Sequence, residues 1–285
     1  MNAPERLESS GSIGDILVQR GLLQRHDIER VIERQRAKGE PFGEAAIALN
    51  LLRREDLQAA LSTQFNYGYL REGEHALSPE LVVAFKPFSR AAEEMRALRS
   101  QLLMRWFTGD PRRRVISVVS NGAGDGRTFI AANLAVAFSQ QGHRTLLIDA
   151  DLRKPRLGQL FCTANSAGLA GVLSDRAGLD IAEPVVGLPG LRVLPAGAVP
   201  PNPQELVGKP AFGDLLGAAS AQHDVVIIDT PPCDSVADAE IVSARTGAAL
   251  VVVRKHRSLL KGTRQLARRL QDTGVALVGT VLNHY

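Results

Sequence analysis

The chain has 285 residues, enough for one large domain or two smaller ones. Hydrophobic residues make up 45% and charged residues 22%, which is typical of a folded globular protein and excludes a disordered or collagen-like chain. The net charge of +4 arises from 34 basic and 30 acidic residues that are largely interspersed, which argues against nucleic-acid binding. The two cysteines are too few for a disulfide framework. The N-terminal segment MNAPERLESSGS has no apolar signal core, and no apolar run reaches 18 residues, so we expect a cytoplasmic protein.

The first 66 residues contain a repeat with a period of 29 residues. Residues 13–15 recur as 42–44, and the leucine pair at 22–23 recurs as 51–52. Apolar residues in each unit recur at i, i+3 and i+4, which indicates helices with one buried face. The sequence therefore predicts a small helical domain of two packed units over residues 1–66.

This repeat resembles the N-terminal domain of type II secretion and pilus assembly ATPases, a module that binds cyclic di-GMP in some members. The family's repeat begins Arg-Leu-Gly, whereas this chain has SIG at 12–14 and PFG at 41–43, so both leading arginines are missing. Arginine is the residue expected to contact a phosphate or stack on a base. The resemblance implies the helical fold, and it leaves cyclic di-GMP or a protein as the ligand of the module.

A linker is predicted over residues 67–88, which show little periodicity. A helix is predicted to follow over 90–107, and it carries Glu93, Arg96 and Arg99 at three-residue spacing. This spacing places the three side chains on one helical face, where they can pair within the helix or with another subunit. A solvated charged face is the alternative, because surface ion pairs contribute little to stability.

Residues 115–138 have the order of a strand, a glycine-rich turn and a helix. The run VISVV at 115–119 is typical of a buried parallel strand, and Gly122, Gly124 and Gly126 follow it. In this arrangement backbone N–H groups and a helix N-terminus bind phosphates. We therefore predict that nucleotide-binding contacts come from the whole turn, namely Asn121, Gly122, Ala123, Gly124, Asp125, Gly126, Arg127 and Thr128.

Position 127 departs from the P-loop pattern G-x-x-x-x-G-K-[ST], because it is arginine where the pattern requires lysine. Arginine keeps the positive charge but presents a planar fork in place of a compact ammonium group. We expect ATP binding to survive this change, since backbone N–H groups supply much of the phosphate contact.

Strands and helices alternate over the rest of the chain. Strands are predicted over 145–151, 191–196, 224–230, 248–254 and 275–282, and helices over 203–219, 235–244 and 258–272, the last with Ser258 as its N-cap. This order indicates an α/β fold, a parallel sheet with helices on both faces, preceded by the all-α module. Ligands of such sheets bind at the carboxyl ends of the strands.

Acidic residues lie at the carboxyl ends of two of these predicted strands. Asp149 and Asp151 end the strand that starts at 145, and Asp229 ends the apolar run VVIID. Phosphoryl transfer requires a hydroxyl and carboxylates around hydrated Mg²⁺, which makes Thr128, Asp149 and Asp229 the candidate metal residues. Asp149 and Asp151 are also candidates to accept a proton from an attacking hydroxyl.

A dinucleotide-binding fold is the rival interpretation of this loop. Asp149 lies 23 residues after Gly126, near the position of the ribose-binding acid in such folds. However, the loop lacks the third glycine of that pattern, and hydride transfer has no use for the motif VVIIDTPP.

Taken in order, these motifs resemble the bacterial P-loop tyrosine kinases, specifically the chain-length-determinant autokinases encoded with exopolysaccharide export systems. That family's Asp-x-Asp-x-Arg motif is matched by Asp149, Asp151 and Arg153, and its IIDTPP motif by residues 227–232. The terminal VLN also matches, and the resemblance implies that Asn283 approaches the adenine. The Glu-x-x-Arg-x-x-Arg helix that mediates ring assembly in the family is matched by Glu93, Arg96 and Arg99.

The resemblance implies an ATP- and Mg²⁺-dependent protein-tyrosine autokinase over residues 89–285. Its catalytic residues would be Arg127, Asp149, Asp151 and Arg153. It would act with a transmembrane polysaccharide co-polymerase in chain-length control, and this partner would hold it at the inner membrane. Family members phosphorylate a C-terminal tyrosine cluster, whereas this chain has three tyrosines, of which the last residue, Tyr285, is the candidate acceptor.

Two other functions remain open. The missing tyrosine cluster is compatible with a nucleotide-gated regulatory ATPase or adaptor that has no effective kinase activity. A ParA/MinD-type positioning ATPase shares the sheet and the acids, but such proteins carry an extra lysine at the start of the loop, and this chain has none between Val115 and Gly142.

One predicted helix is basic on one face, with cations at Lys261, Arg264, Arg268 and Arg269. We expect it to be a solvated or partner-docking surface, because no aromatic residues interleave with the cations as they do in nucleic-acid readers.

Overall fold

The computed structural model describes residues 12–54, 56–57, 60–61, 70, 76–163, 167–234 and 236–284. The chain divides into two compact units, Met1–Tyr69 and Leu70–Tyr285. The predicted phosphoacceptor Tyr285 lies outside the described residues. Among the helices of the described ranges, none combines the length and the apolar character that crossing a bilayer requires.

The described residues of the first unit include the helices α1 (Ile13–Gln19), α2 (Arg25–Lys38) and α3 (Phe42–Ala48). Ser12 and Asp15 form a capping box at the start of α1, and Gly39 ends α2 in the left-handed conformation at φ +67°. The core of this unit contains Leu17 and Val31, both fully buried. The N-terminal unit is therefore helical, as the apolar periodicity predicts.

Seven strands in the described residues of the second unit form one sheet. They are β1 (Val115–Val119), β2 (Thr145–Asp149), β3 (Glu183–Pro184), β4 (Leu191–Leu194), β5 (Val225–Asp229), β6 (Ala248–Arg254) and β7 (Ala276–Asn283). Their spatial order is β3-β4-β2-β5-β1-β6-β7, and every neighbouring pair is parallel except β3 and β4. Strands β1, β2 and β5 are buried at every residue, as expected where both faces are covered. The predicted α/β sheet is confirmed.

The helices of the second unit surround this sheet. Their bounds are α4 (Val82–Phe85), α5 (Arg90–Arg105), α6 (Arg127–Gln140), α7 (Leu157–Phe161), α8 (Gly168–Val172), α9 (Pro203–Gly208), α10 (Pro210–Gln222), α11 (Asp238–Thr246) and α12 (Leu260–Asp272). Alternate residues of β5 enter different cores: Ile227 packs in the cluster that contains Phe138 of α6, and Ile228 in the cluster that contains Phe212 of α10. Because side chains alternate across a strand, these cores lie on opposite faces.

Two details of the predicted helices are wrong, and most other predicted boundaries differ from the structure by one to three residues. The helix predicted over 203–219 is two helices, because Pro210 forces the preceding Lys209 out of the helical region, to φ −63° and ψ 151°. Ser258 is not an N-cap, since α12 begins after Leu259. The Ser258 hydroxyl instead accepts a hydrogen bond from the Arg254 N–H at 2.8 Å and donates to Asp125 at 2.8 Å.

The segment predicted as a linker over 67–88 is in large part packed into the second unit. Leu81, Val83 and Ala84 are fully buried in the same core as α6. The side chain of Asn133 in α6 accepts a hydrogen bond from the Val83 N–H at 3.0 Å and donates to the Glu80 carbonyl at 2.9 Å. The second unit thus begins at Leu70, not at residue 89, because a single helical turn has too little periodicity to be recognised in a sequence.

Candidate active site

The site lies where β1, β2 and β5 end. These strands are parallel, so their carboxyl ends meet at one edge of the sheet. The register pairs Asp149 of β2 with Asp229 of β5, and Val118 of β1 with Asp229. The two acids that the sequence placed at strand ends are therefore neighbours, and the glycine-rich turn after β1 lies beside them.

The glycine-rich turn depends on two glycines in the left-handed region. Gly124 has φ +77° and Gly126 has φ +100°, which side chains with a Cβ rarely adopt. A Cβ on Gly126 would also lie 2.2 Å from Nδ2 of Asn283, which donates a hydrogen bond to the Asp125 carbonyl at 3.0 Å. Helix α6 begins directly after Gly126, and the first N–H groups of a helix have no intrahelical acceptor. The turn and the helix start thus form a phosphate-binding arrangement.

Asp125 stabilises this turn through hydrogen bonds of its own side chain. Its Oδ2 accepts the Gly122 N–H at 3.0 Å, and its Oδ1 accepts the Ser258 hydroxyl at 2.8 Å. The carboxylate is almost fully buried. Asp125 was predicted as a nucleotide contact, and the structure gives it hydrogen bonds to the loop itself.

Arg127 also bonds the protein. Its Nε donates to the Thr230 carbonyl at 2.8 Å, and Nη1 donates to the Gly122 carbonyl at 2.8 Å and to the Ser120 hydroxyl. The residue is only 7% exposed. The guanidinium therefore holds the glycine-rich turn against the end of β5. The sequence-based prediction treats Arg127 as a substitute for the P-loop lysine and does not include this role.

Thr128 and Asp229 form the centre of the site. The Thr128 hydroxyl donates to Asp229 Oδ2 at 2.6 Å, and Asp229 is fully buried. Burial, with the charge of Asp149, raises the pKa of Asp229 to about 8. Asp229 Oδ1 is buried and accepts no hydrogen bond from the described residues. Because buried polar atoms in folded proteins normally have a partner, this oxygen calls for one that is not a protein group.

A hydrated Mg²⁺ ion fits this unpartnered oxygen. Mg²⁺ prefers oxygen ligands, keeps several waters and is held by one or two protein groups together with substrate phosphates. Consistently, the described residues contain no group of three or more His, Cys, Asp or Glu side chains arranged to hold a metal by themselves. Thr128 and Asp229 are the side chains that suit such an ion.

Asp149 organises the loop after β2. Its carboxylate accepts the backbone N–H groups of Asp151, Arg156 and Leu157 at 3.0–3.1 Å. Burial raises the pKa of Asp149 to about 6, and the nearby charge of Asp151 acts in the same direction. Three of about four acceptor positions on the carboxylate are thus used by the backbone, which leaves one for a metal-bound water.

Asp151 and Arg153 both line the cavity beside the turn. Asp151 Oδ1 accepts the N–H groups of Arg153 and Lys154 at 3.2 and 2.9 Å. The Arg153 guanidinium forms a two-pronged pair with Asp238 at 2.8 and 3.2 Å, and Asp238 is almost fully buried. Asp238 was not identified from the sequence, because an acid in the first turn of a helix is common there for electrostatic reasons alone.

The cavity has a volume of about 900 Å³, which is in the range of sites that bind a nucleotide-sized ligand. Cations dominate the charged residues that line it, namely Lys86, Arg90, Arg127, Arg153, Lys154, Arg156 and Arg254. Arg254 donates to the Gly124 carbonyl at 2.9 Å, and Arg156 pairs with Glu80 at 2.8 Å. Several of these cations come from segments without a recognisable motif, so only the fold brings them together.

The predicted oligomerisation residues on α5 make contacts within the chain. Glu93 pairs with Arg96 at 2.6 Å, and Arg96 also donates to the Pro87 carbonyl at 2.6 Å. Arg99 donates to the Ala137 carbonyl of α6 at 2.8 Å. The Glu93 side chain remains 73% exposed.

Comparison with known proteins agrees with this geometry. Residues 116–285 match the family model of the CobQ/CobB/MinD/ParA nucleotide binding domain. Tyrosine-protein kinase YwqD of Bacillus subtilis is 33% identical over 203 residues, which cover 71% of this chain and 85% of the relative. Tyrosine-protein kinase wzc of Salmonella typhi is 34% identical over 204 residues, but the chain spans only 28% of its length.

Solved structures show the same relationship. The kinase domain of the Escherichia coli tyrosine kinase ETK matches with a TM-score of 0.69 and 32% identity, covering 75% of this chain and 84% of that domain. MinD of Pyrococcus horikoshii, solved with Mg-ADP, matches with a TM-score of 0.54 and 27% identity, covering 60% of this chain and 70% of MinD. The chain belongs to the CobQ/CobB/MinD/ParA family of nucleotide-binding domains and, within it, to the bacterial tyrosine-protein kinases.

Proposed function

We propose that this chain is an ATP- and Mg²⁺-dependent protein-tyrosine autokinase. The observation that supports this most is the Thr128–Asp229 pair, whose unpartnered Asp229 oxygen lies beside a phosphate-binding turn. Relatives at about 33% identity are named tyrosine-protein kinases, and the MinD neighbour was solved with Mg-ADP.

Each residue has a distinct part in this proposal. Backbone N–H groups of the turn at 121–128 bind the phosphates, and Thr128 and Asp229, with Asp149 acting through a water, would hold the ion. When bound, Mg²⁺ offsets negative charge on the phosphate oxygens. Asp151, at the cavity wall, accepts the proton of the attacking tyrosine hydroxyl, whose oxygen bonds the γ-phosphorus of ATP as the bond from that phosphorus to the leaving ADP breaks. Arg153, oriented by Asp238, offsets negative charge on the transferred group. Asn283 lies beside the adenine.

The wider setting is part of the same proposal. The chain assembles into a ring through Glu93, Arg96 and Arg99, and it acts with a transmembrane polysaccharide co-polymerase in exopolysaccharide chain-length control. Tyr285 of one subunit is the acceptor for its neighbour. The N-terminal unit senses a ligand, either cyclic di-GMP or a protein.

Incubation of the full chain with ATP and Mg²⁺, followed by phosphotyrosine detection, tests the kinase. We expect a signal that Asp151→Asn abolishes and that Tyr285→Phe removes from the chain. A poly(Glu,Tyr) substrate distinguishes a chain that lacks an acceptor tyrosine from one that lacks kinase activity. The Tyr285→Phe variant should therefore still phosphorylate this substrate. Absence of phosphotyrosine on both acceptors, with Mg-ADP binding intact, would contradict a kinase.

A second candidate is a nucleotide-gated regulatory ATPase without effective kinase activity. The observation that favours it is the Arg127 guanidinium, which donates hydrogen bonds to the protein's own carbonyls at the position where the P-loop pattern has lysine. Phosphate release from ATP without phosphotyrosine on either acceptor would support this function.

A further inference from the structure

A strongly basic segment runs from the end of β6 into α12, and most of its cations have no role in the proposed kinase chemistry. Residues 254–269 contain seven lysines and arginines and no acid. Arg254 donates to the Gly124 carbonyl, and Arg269 pairs with Glu240 at 3.0 Å. The other five cations are exposed and form no ion pair with a carboxylate of the described ranges: Lys255, Arg257, Lys261, Arg264 and Arg268.

Two adjacent leucines lie among these cations. Leu259 is 75% exposed and Leu260 is 63% exposed, whereas Leu266 and Leu270 of the same helix are fully buried. On a helix, residues four apart share a face, so Leu260, Arg264 and Arg268 point away from the core together. We call the set of Leu259, Leu260 and the five exposed cations the leucine–cation surface.

We propose that the leucine–cation surface binds an anionic lipid bilayer directly. Lysines and arginines near a membrane are attracted by anionic headgroups, and apolar side chains on the same face enter the boundary between headgroups and acyl chains. An acidic protein segment would match the cations but leave the paired exposed leucines unexplained. A nucleic acid would call for Phe, Tyr or Trp side chains between the cations, and residues 254–269 contain none of these.

The surface adjoins the nucleotide site. Ser258, just before the leucines, donates its hydroxyl to Asp125 of the glycine-rich turn at 2.8 Å. Gly262, in the first turn of α12, lies so close to Asn121 that a Cβ would be 2.6 Å from the Asn121 Nδ2. Docking would therefore bring the nucleotide-binding turn close to the membrane surface.

Co-sedimentation of the full chain with vesicles tests this proposal. Vesicles of mixed phosphatidylglycerol and phosphatidylcholine should bind the chain at low salt and release it as salt rises, whereas pure phosphatidylcholine should not bind it. Lys261→Gln with Arg264→Gln should lower the partition coefficient about 30-fold, since each cation contributes about 1 kcal/mol near an anionic surface. Leu259→Ser with Leu260→Ser should also reduce binding.

Arg176→Gln with Lys209→Gln is the matched control, because it removes the same charge at two exposed cations remote in sequence from α12. This control should bind vesicles like the parent chain, which separates a local surface from net charge. Equal loss in both charge variants, unchanged binding in the leucine variant, or no preference for anionic vesicles would overturn the proposal. Binding to polyglutamate but not to the vesicles would assign the surface to an acidic protein instead. Thermal unfolding of each variant verifies that it is folded.

Discussion

Arginine at position 127 keeps the charge of a P-loop lysine but uses it differently. Its planar fork reaches acceptors on both sides, the Gly122 carbonyl in the turn and the Thr230 carbonyl after β5. A lysine has three donors around one point and cannot span them in the same way. The residue therefore links the position of the turn to that of the strand carrying Asp229.

We expect Arg127→Lys to retain Mg-ADP binding and to change turnover by less than about tenfold, because the charge stays and the backbone supplies much of the phosphate contact. Arg127→Ala should weaken both, and it should lower the free energy of unfolding by about 1–3 kcal/mol, since buried carbonyls lose their donors. Calorimetric titration and phosphate release measure these effects. Unchanged turnover in Arg127→Ala would show that turnover does not depend on the contacts between Arg127 and the turn.

In the proposed function, Asp229 stabilises the complex with Mg-ADP at a cost to the stability of the free protein. Burial opposes its charge, so Asp229→Asn should raise the free energy of unfolding in EDTA by at least about 1 kcal/mol. The same variant should lose most of the stabilisation that Mg-ADP provides, because the ion loses its carboxylate. Thermal unfolding in EDTA and in Mg-ADP measures both effects.

Asp224→Asn is the control for this prediction. Arg144 holds the pKa of Asp224 down to about 2, so the charged form stabilises the folded state above the unfolded pKa, and this stabilisation is lost as the pH falls toward 2. Its substitution should slightly lower stability at neutral pH and leave the effect of Mg-ADP intact. If Asp229→Asn also retained the full Mg-ADP effect, Asp229 would not be a metal residue.

Among the elements, the turn between β1 and α6 has the strictest backbone requirement. Gly126→Ala combines strain at φ +100° with displacement of the Asn283 side chain, whereas Gly142→Ala at φ +90° meets no atom within 4 Å. Both should lose about 1–2 kcal/mol of stability from the left-handed backbone. Only Gly126→Ala should also weaken Mg-ADP binding, as measured by titration. Equal affinity in the two variants would show that the turn tolerates a Cβ.

Elements with strong local signals were predicted well. The bounds of β1 and β6 match the apolar runs, because a continuous β-branched stretch has few alternatives. The two-residue strand β3 and the single turn α4 were missed, since they are too short to show a period. Ser258 was misassigned because its hydroxyl bonds Asp125, a partner 133 residues away that local capping rules cannot include.

At the scale of the whole molecule, the two units have separate cores. The N-terminal core consists of residues between Ile13 and Leu61, and the three other cores begin at Leu70 or later. Separate cores favour separate unfolding transitions. The repeat offers a matched test, because Gly14 and Gly43 occupy equivalent positions in different surroundings.

We expect Gly43→Ala to lower the unfolding midpoint of the N-terminal unit, because its Cβ would lie 2.4 Å from the buried side chain of Leu57. Gly14→Ala meets only ordinary contacts at 3.5 Å or more. It should raise that midpoint, because the higher helix propensity of alanine adds up to about 1 kcal/mol to the free energy of unfolding. Calorimetry of the full chain should show the second transition unchanged in both. Equal shifts in one shared transition would show that the units unfold together.

The proposed ring makes a separate prediction for α5. Glu93→Gln should reduce oligomerisation measured by light scattering, because Glu93 is 73% exposed and available to a neighbour. Glu94→Gln, which breaks an exposed pair with Arg90 at 2.8 Å, should leave assembly unchanged. Neither should alter stability by more than about 1 kcal/mol, since surface pairs contribute little. Equal assembly of the two variants would contradict the proposed interface.

The sequence by itself determined the parallel sheet, the glycine-rich turn and the acids at the strand ends, because hydrophobic runs and glycine spacing are local properties of a chain. Only the tertiary structure decided which partners those side chains take. Arg127 bonds Thr230, Arg153 bonds Asp238, and Ser258 bonds Asp125, in each case across many residues. These pairings depend on strands brought side by side, and no local pattern records which strand lies next to which.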